Sequence, residues 1–146
     1  MKSTLDKTTR EELITRIQLL TENSSAQWGK MNVYQMLKHC IQWEEMFLEK
    51  KQYKQSFIGR FFGKFALKDM LKDAPIKPNL PTVPSFKTTG TGDVAAAKTE
   101  WISLLEEYTL KQHAGFVHPF FGRITAEQAG IMDYKHIDHH LKQFNC

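Results

Sequence analysis

The stretch Asp133-Tyr134-Lys135-His136-Ile137-Asp138-His139-His140-Leu141-Lys142-Gln143-Phe144 decides how this chain reads. Three of the six histidines fall within five of its residues. Ile137, Leu141 and Phe144 recur at helical spacing and define an inward face. A helix turns about 100° per residue, so His136 and His140, four apart, share one face one turn removed. That is the spacing at which an H-x-x-x-H helix offers two imidazoles to one metal ion. His139 points about 100° away from His140 and falls outside this face. Asp133 falls on the inner side, one turn ahead of His136.

A third imidazole comes from an earlier helix, over residues 32–52, with Asn32 as its N-cap. Val33, Met36, Leu37, Cys40, Trp43, Phe47 and Leu48 make its apolar face, and His39 sits beside Met36 and Trp43. If this helix and the closing one run antiparallel, the axial rise tests the match. His39 lies roughly 10 Å from its helix start, and His136 and His140 lie roughly 12 and 6 Å from their helix end. The three rings meet at one level. The same arithmetic puts His118 at least ~16 Å along the axis from His136, outside ligand range. The expected metal ligands are therefore His39, His136 and His140. Three neutral imidazoles leave a coordination position open, as catalytic sites do, and suit Zn, Ni, Fe or Co as divalent ions. Such a site activates a water or a thiolate as nucleophile. Glu44, Glu45 and Asp133 are the candidates for outer partners that fix the imidazole tautomers. The competing reading is three unrelated histidines, two packed and one solvated.

The rest of the chain is organised around these two helices. A first helix covers residues 8–22, with Leu13, Ile17 and Leu20 inward and Ile14 and Leu19 widening the stripe. Thr9 and Glu12 form a capping-box pattern at its start. Trp28 lies in the following connection and is expected on the core. A shorter helix covers residues 57–71. Residues 73–92 hold four of the five prolines and read as a long irregular connection, either a lid or a crossover strap. Another long helix covers residues 93–112, capped by Asp93, with Val94, Ala97, Trp101, Leu104, Leu105 and Tyr108 inward. Residues 113–124 form a turn-rich apolar loop; if it closes over the site, His118 becomes available as an acid or base. Thr125 and Gln128 form a second capping box that opens the last helix. Four long helices, one short helix and no strand make one all-α bundle domain over residues 1–146.

Composition narrows the class. The chain has 146 residues, 41% of them apolar and 25% charged, with seventeen aromatic side chains. That is enough for one core and too little for two. No apolar run approaches the ~20 residues of a membrane span. The charged N-terminus lacks an apolar stretch and leads to the expectation of a cytoplasmic protein. Cys40 and Cys146 form no C-x-x-C pair and fit lone thiols in a reducing compartment. The net charge is +4, and the basic residues concentrate in 50–72 among Phe57, Phe61, Phe62 and Phe65. This segment is expected to pack its phenylalanines on the bundle and solvate its lysines, so neither nucleic acid nor membrane is the expected partner.

The M-L-x-H context of His39 (Met36, Leu37, Lys38) and the closing H-x-x-H-H of His136, His139 and His140, followed by Lys142 and Gln143, resemble the DinB/YfiT-like superfamily. W-G-K-M at 28–31, H-P-F-F-G at 118–122 and the terminal stretch resemble a branch of it without assigned function. The likeness runs over essentially the whole chain. It implies a four-helix bundle with a divalent metal on His39, His136 and His140, often as a homodimer. It also implies metal-dependent chemistry on a small-molecule substrate, such as transfer or isomerisation with a low-molecular-weight thiol. Leu141 stands where many members carry Arg, so no particular activity transfers to this branch. The alternative function is a non-catalytic metal-binding module acting in stress response or in protein interaction. Cys40, beside His39, reads as core rather than nucleophile.

Overall fold

The computed structural model describes residues 1–54, 56–80, 82, 84–110 and 115–146. Five helices and one small hairpin account for its regular structure: α1 (Lys7–Gln18), α2 (Val33–Phe47), α3 (Phe57–Met70), α4 (Val94–Leu110), β1 (Phe116–His118), β2 (Gly122–Ile124) and α5 (Ala126–Gln143), with a single 3-10 turn at Pro84–Phe86.

Helix starts follow local chemistry closely. Asn32 and Gln35 exchange reciprocal capping hydrogen bonds at the start of α2, as Thr125 and Gln128 do at α5. The Asp93 carboxylate accepts from the Ala96 N–H at 2.9 Å ahead of α4. At α1 the cap is Asp6, which accepts from the Thr9 N–H at 2.7 Å. The Thr9/Glu12 pair is therefore not the start, because the helix begins three residues earlier on the Asp6 cap and both residues lie within it. Two helix ends fall short of the expected bounds. α1 stops at Gln18, leaving Leu19 exposed, and α2 stops at Phe47, where Glu49 takes a positive φ of 57°. The expected end of α4 at Gln112, and His113 and Pro81, lie outside the described residues.

Side-chain pairings fix the directions. Trp43 reaches Asp133 and His39 meets His136, so α2 and α5 run antiparallel. Lys38 pairs with Glu100 and Lys50 with Glu107, so α2 and α4 run parallel. The α3 segment and the proline-rich connection make the return between those two parallel helices. Arg16 of α1 grips Asp138 of α5 at 2.9 Å, and Lys98 of α4 donates to the carbonyls of Gln18 and Leu20 at the end of α1. The core between these helices holds Leu13, Ile17, Leu37, Phe47, Trp101, Leu105, Tyr108, Met132 and Ile137, all fully buried. Every residue expected on the inward faces of α2 and α4 is buried.

Two further expectations fail. The loop before α5 contains a strand pair, with Phe116 opposite Ile124 and His118 opposite Gly122. Its strands are three residues each, too short to show alternation in the sequence. The phenylalanines of α3 do not pack inward. Gly59, Gly63 and Leu67 face the protein, and Phe57, Phe61, Phe62 and Phe65 face solvent. The cause is the close approach of the hairpin: a Cβ on Gly59 or Gly63 would lie 2.4 or 2.2 Å from the Phe120 carbonyl oxygen. Among the described residues no helix is long and apolar enough to cross a membrane.

Candidate metal centre

The three expected histidines converge. His39 comes from the middle of α2, and His136 and His140 come from the last two turns of α5. All three are buried, and one nitrogen of each lies within 4.8 Å of the others. Ring centroids are separated by 5.0 Å (His39 to His136), 4.8 Å (His39 to His140) and 4.6 Å (His136 to His140). The Nε2 atoms of His39 and His136 stand 3.0 Å apart.

Hydrogen bonds on the outer nitrogens determine what the inner ones present. The Nδ1–H of His39 donates to the Phe86 carbonyl at 3.1 Å, since a carbonyl can only accept. The Nδ1 of His140 meets Gln143 Oε1 at 2.9 Å, while Gln143 Nε2 donates to the Trp28 carbonyl at 2.7 Å. That second bond orients the amide, so Gln143 accepts and His140 Nδ1 carries the proton. Neutral His39 and His140 therefore both direct an Nε2 lone pair inward. His136 lies flat against Trp43, with centroids 4.1 Å apart and planes 15° apart, and its buried Nδ1 has no hydrogen-bond partner among the described residues. A divalent ion fits this donor set. Two nitrogens 3.0 Å apart are spanned by two metal–nitrogen bonds of ~2.0–2.1 Å, and the outer bonds supply the tautomers that ligation needs.

Burial keeps the rings neutral. It pushes the His136 pKa well below the ordinary value, with the neighbouring His140 and His39 adding to the effect. Burial lowers His140 to about 3 and His39 in the same direction, the Phe86 carbonyl partly opposing the shift at His39. Neutral imidazole is the ligating form.

The rings form one wall of a cleft of about 1000 Å³, which also takes in Trp43, Phe86, Gln143 and residues of the proline-rich connection. That connection is a strap held on α2: Thr88 donates to the Gln35 carbonyl, and the Gly90 carbonyl accepts from Asn32 and Gln35. Gly29 stands at the far side with a positive φ of 81°, where a Cβ would press on Gln143 Nε2 at 2.8 Å. A glycine there leaves room for the amide that holds His140.

One family model, described as a protein of unknown function (DUF1569), matches residues 1–146. The chain belongs to the DUF1569 family. No curated protein and no solved structure matches it.

In this DUF1569 chain the outer partners differ from those expected. Glu44 and Asp133 are fully buried, and their hydrogen bonds go elsewhere than to His39, His136 and His140. They lie beneath Trp43, where Trp43 Nε1 donates to Asp133 at 3.1 Å and Trp101 Nε1 donates to Glu44 at 3.3 Å. Burial raises Asp133 to about 7 and Glu44 well above its ordinary value, so both carboxyls favour the protonated form. Glu45 is turned to the surface and paired with Lys51. The real partners, the Phe86 carbonyl and the Gln143 amide, carry weaker signals. A main-chain carbonyl has no residue-type signature, and Gln143 stands out only by falling three residues after His140.

His118 is closer than axial arithmetic allowed. The hairpin folds back and sets its ring 5.7 Å from Trp43, on the cleft. Its Nδ1 accepts from the N–H groups of Phe120 and Phe121 at 3.0 and 3.2 Å, so the proton sits on Nε2. Burial lowers its pKa to about 4, making it a neutral hydrogen-bond donor at neutral pH. His139 stays outside the triad, half-buried against Trp28 at 5.5 Å. Trp28 borders the cleft rather than the core. Met36 is wholly in the core, with Cys40 Sγ 3.7 Å from its sulfur. Burial, with Glu44 and Asp133 nearby, pushes the Cys40 thiol well up, which leaves it inert as a nucleophile.

Proposed function

We propose that this protein is a metal-dependent enzyme built as a four-helix bundle of the DinB/YfiT-like kind, with α1, α2, α4 and α5 as the bundle and α3 and the strap as additions. His39, His136 and His140 would hold a divalent ion, Zn, Ni or Fe. The observation that carries this reading is that the three clustered, buried histidines also line a roomy cleft. A structural site closes its ion on all sides; a catalytic one keeps a position for substrate.

When bound, the ion supplies Lewis acidity and activation of a thiol or a water at the cleft floor. The chain's own residues do the rest. Phe86 and Gln143 hold two imidazoles in the ligating tautomer. Trp43 stacks on His136 and shields it from solvent. His118 lines the cleft as a neutral imidazole with its proton on Nε2, an atom that is itself buried and without a partner among the described residues. The substrate class we favour is a small molecule, with a low-molecular-weight thiol as nucleophile and transfer or hydrolysis as the reaction. A homodimer in the cytoplasm is the accompanying proposal.

The test is Co²⁺ substitution followed by titration with small thiols. The reading expects the visible bands of the cobalt protein to shift on thiol addition, and the metal-loaded protein to accelerate thiol attack on a chromogenic electrophile, with His39→Ala abolishing both. Bands that ignore thiols and other small donors would mean a closed, non-catalytic site and would overturn the enzyme reading.

A further inference from the structure

The helix α3 shows what its own sequence would be expected to hide. Phe57, Ile58, Phe61, Phe62 and Phe65 are each 61–76% exposed. They cover one side of the helix, because the opposite side, Gly59 and Gly63, is pressed on the backbone at Phe120. Scattered exposed apolar residues need no explanation, but five large ones on one helix face form a patch that a solitary domain does not keep for nothing.

Charge says what meets the patch. Arg60, Lys64 and Lys68 follow one another at i, i+4, i+8 along one margin of the aromatic stripe, and Lys54 precedes the helix. All four are exposed, and among the described residues none of them is in an ion pair. Like charges at that spacing repel and are relieved only by anions. Asp69, the one acid within α3, is already taken by Lys72. A second copy of the chain would bring a second unneutralised basic row to the contact. A nucleic-acid duplex would answer the lysines but leave the row of phenylalanines without an apolar medium, and stacking on single-stranded bases would leave Ile58 of the same face unanswered. An anionic lipid surface answers both: phenylalanines enter the acyl boundary while flanking Lys and Arg reach the phosphates.

We infer that α3 docks this protein on the surface of anionic phospholipid membranes, with Phe57, Ile58, Phe61, Phe62 and Phe65 as the inserting face and Lys54, Arg60, Lys64 and Lys68 as the charge contacts. Ser56 and Met70 of the same segment also border the cleft, so docking sets one wall of the cleft against the bilayer.

The test uses the full chain with vesicles of phosphatidylcholine alone and of phosphatidylcholine mixed with phosphatidylglycerol, in a co-sedimentation assay at low and high salt. Wild type is expected to bind the mixed vesicles and to lose them at high salt. Phe61→Ser with Phe65→Ser should abolish binding. Lys64→Glu with Lys68→Glu should weaken it by at least about tenfold, since each basic residue near such a surface contributes about fivefold. All four positions are exposed, and circular dichroism of each variant is the check that it folds. No binding to mixed vesicles, or binding unaltered in both variants, would overturn the inference. So would a lipid-independent dimer, seen by sedimentation velocity, that the Phe61/Phe65 variant dissolves while vesicles are ignored, because the face would then be a contact between copies.

Discussion

Gln143 makes two bonds that no other residue in the chain could replace together. Its oxygen fixes His140, and its nitrogen reaches the Trp28 carbonyl. Removing such an outer partner typically costs 10- to 100-fold in metal affinity. Gln143→Ala is therefore expected to weaken divalent metal binding by about 10- to 100-fold, measured by competition with a chromophoric chelator. Gln143→Glu keeps the acceptor for His140 but sets a carboxylate oxygen against the Trp28 carbonyl, so it should recover only part of the affinity; an Ala variant that binds like wild type would show that His140 needs no such support. At this scale the sequence told a good part of the story. The convergence of His39, His136 and His140 was legible because side-chain direction on a helix follows from its pitch. Glu44 and Asp133 were misread as partners of the histidines because the sequence shows that two acids are near the site in register, not which way they face. They serve each other and two indoles instead.

Among the elements, α3 teaches the most. Its glycines are four apart and its phenylalanines are bulkier, so an apolar-inside reading chooses the phenylalanines. That rule runs one way only: apolar residues fill cores, yet much of any surface is apolar too. The deciding contact is long-range, the Phe120 backbone lying on Gly59 and Gly63. A methyl at Gly63 would stand 2.2 Å from a carbonyl oxygen that belongs to the backbone and cannot swing away. Gly63→Ala is expected to lower stability by about 1–3 kcal/mol in urea unfolding, while Phe61→Ser should stay within about 0.5 kcal/mol of wild type. The reverse ranking would mean that α3 packs by its aromatic face. The hairpin was equally hidden. The axial estimate for His118 assumed that the chain before α5 continues along the helix axis, whereas β1 and β2 fold it back onto Trp43.

At the scale of the whole molecule, the antiparallel pairing of α2 and α5 enters the sequence reading only as an assumption; the Trp43–Asp133 and His39–His136 pairs supply it, and it is what brings the site together. The parallel pairing of α2 and α4 depends on the return path through α3 and the strap, for which local periodicity carries no signal. The site also leaves a mark on global stability. Four buried imidazoles, His39, His118, His136 and His140, have lowered pKa values in the folded state. The unfolded chain binds protons at those histidines near pH 6.5, so the stability they contribute is present above that value and is lost as pH falls toward about 4. At about pH 5, an imidazole whose folded pKa lies well below that, as those of His118 and His140 do, costs up to about 2 kcal/mol. Asp133 and Glu44 act in the opposite sense, because their raised values confer stability at low pH that is lost as pH rises, for Asp133 through about 7. Four groups against two make acid the losing side. In the presence of chelator, urea unfolding should show lower stability at about pH 5 than at about pH 7, and equal or higher stability at the lower pH would contradict this balance.

The central claim is that His39, His136 and His140 hold a metal ion, and the most direct measurement is metal content. The untagged protein would be purified, reconstituted with Zn²⁺ or Ni²⁺ and assayed by mass spectrometry beside the His136→Ala, His140→Ala double variant. The account predicts about one metal ion per wild-type chain and none held by the variant. A wild-type chain that retains no metal after reconstitution, or a double variant that retains as much as wild type, would contradict it.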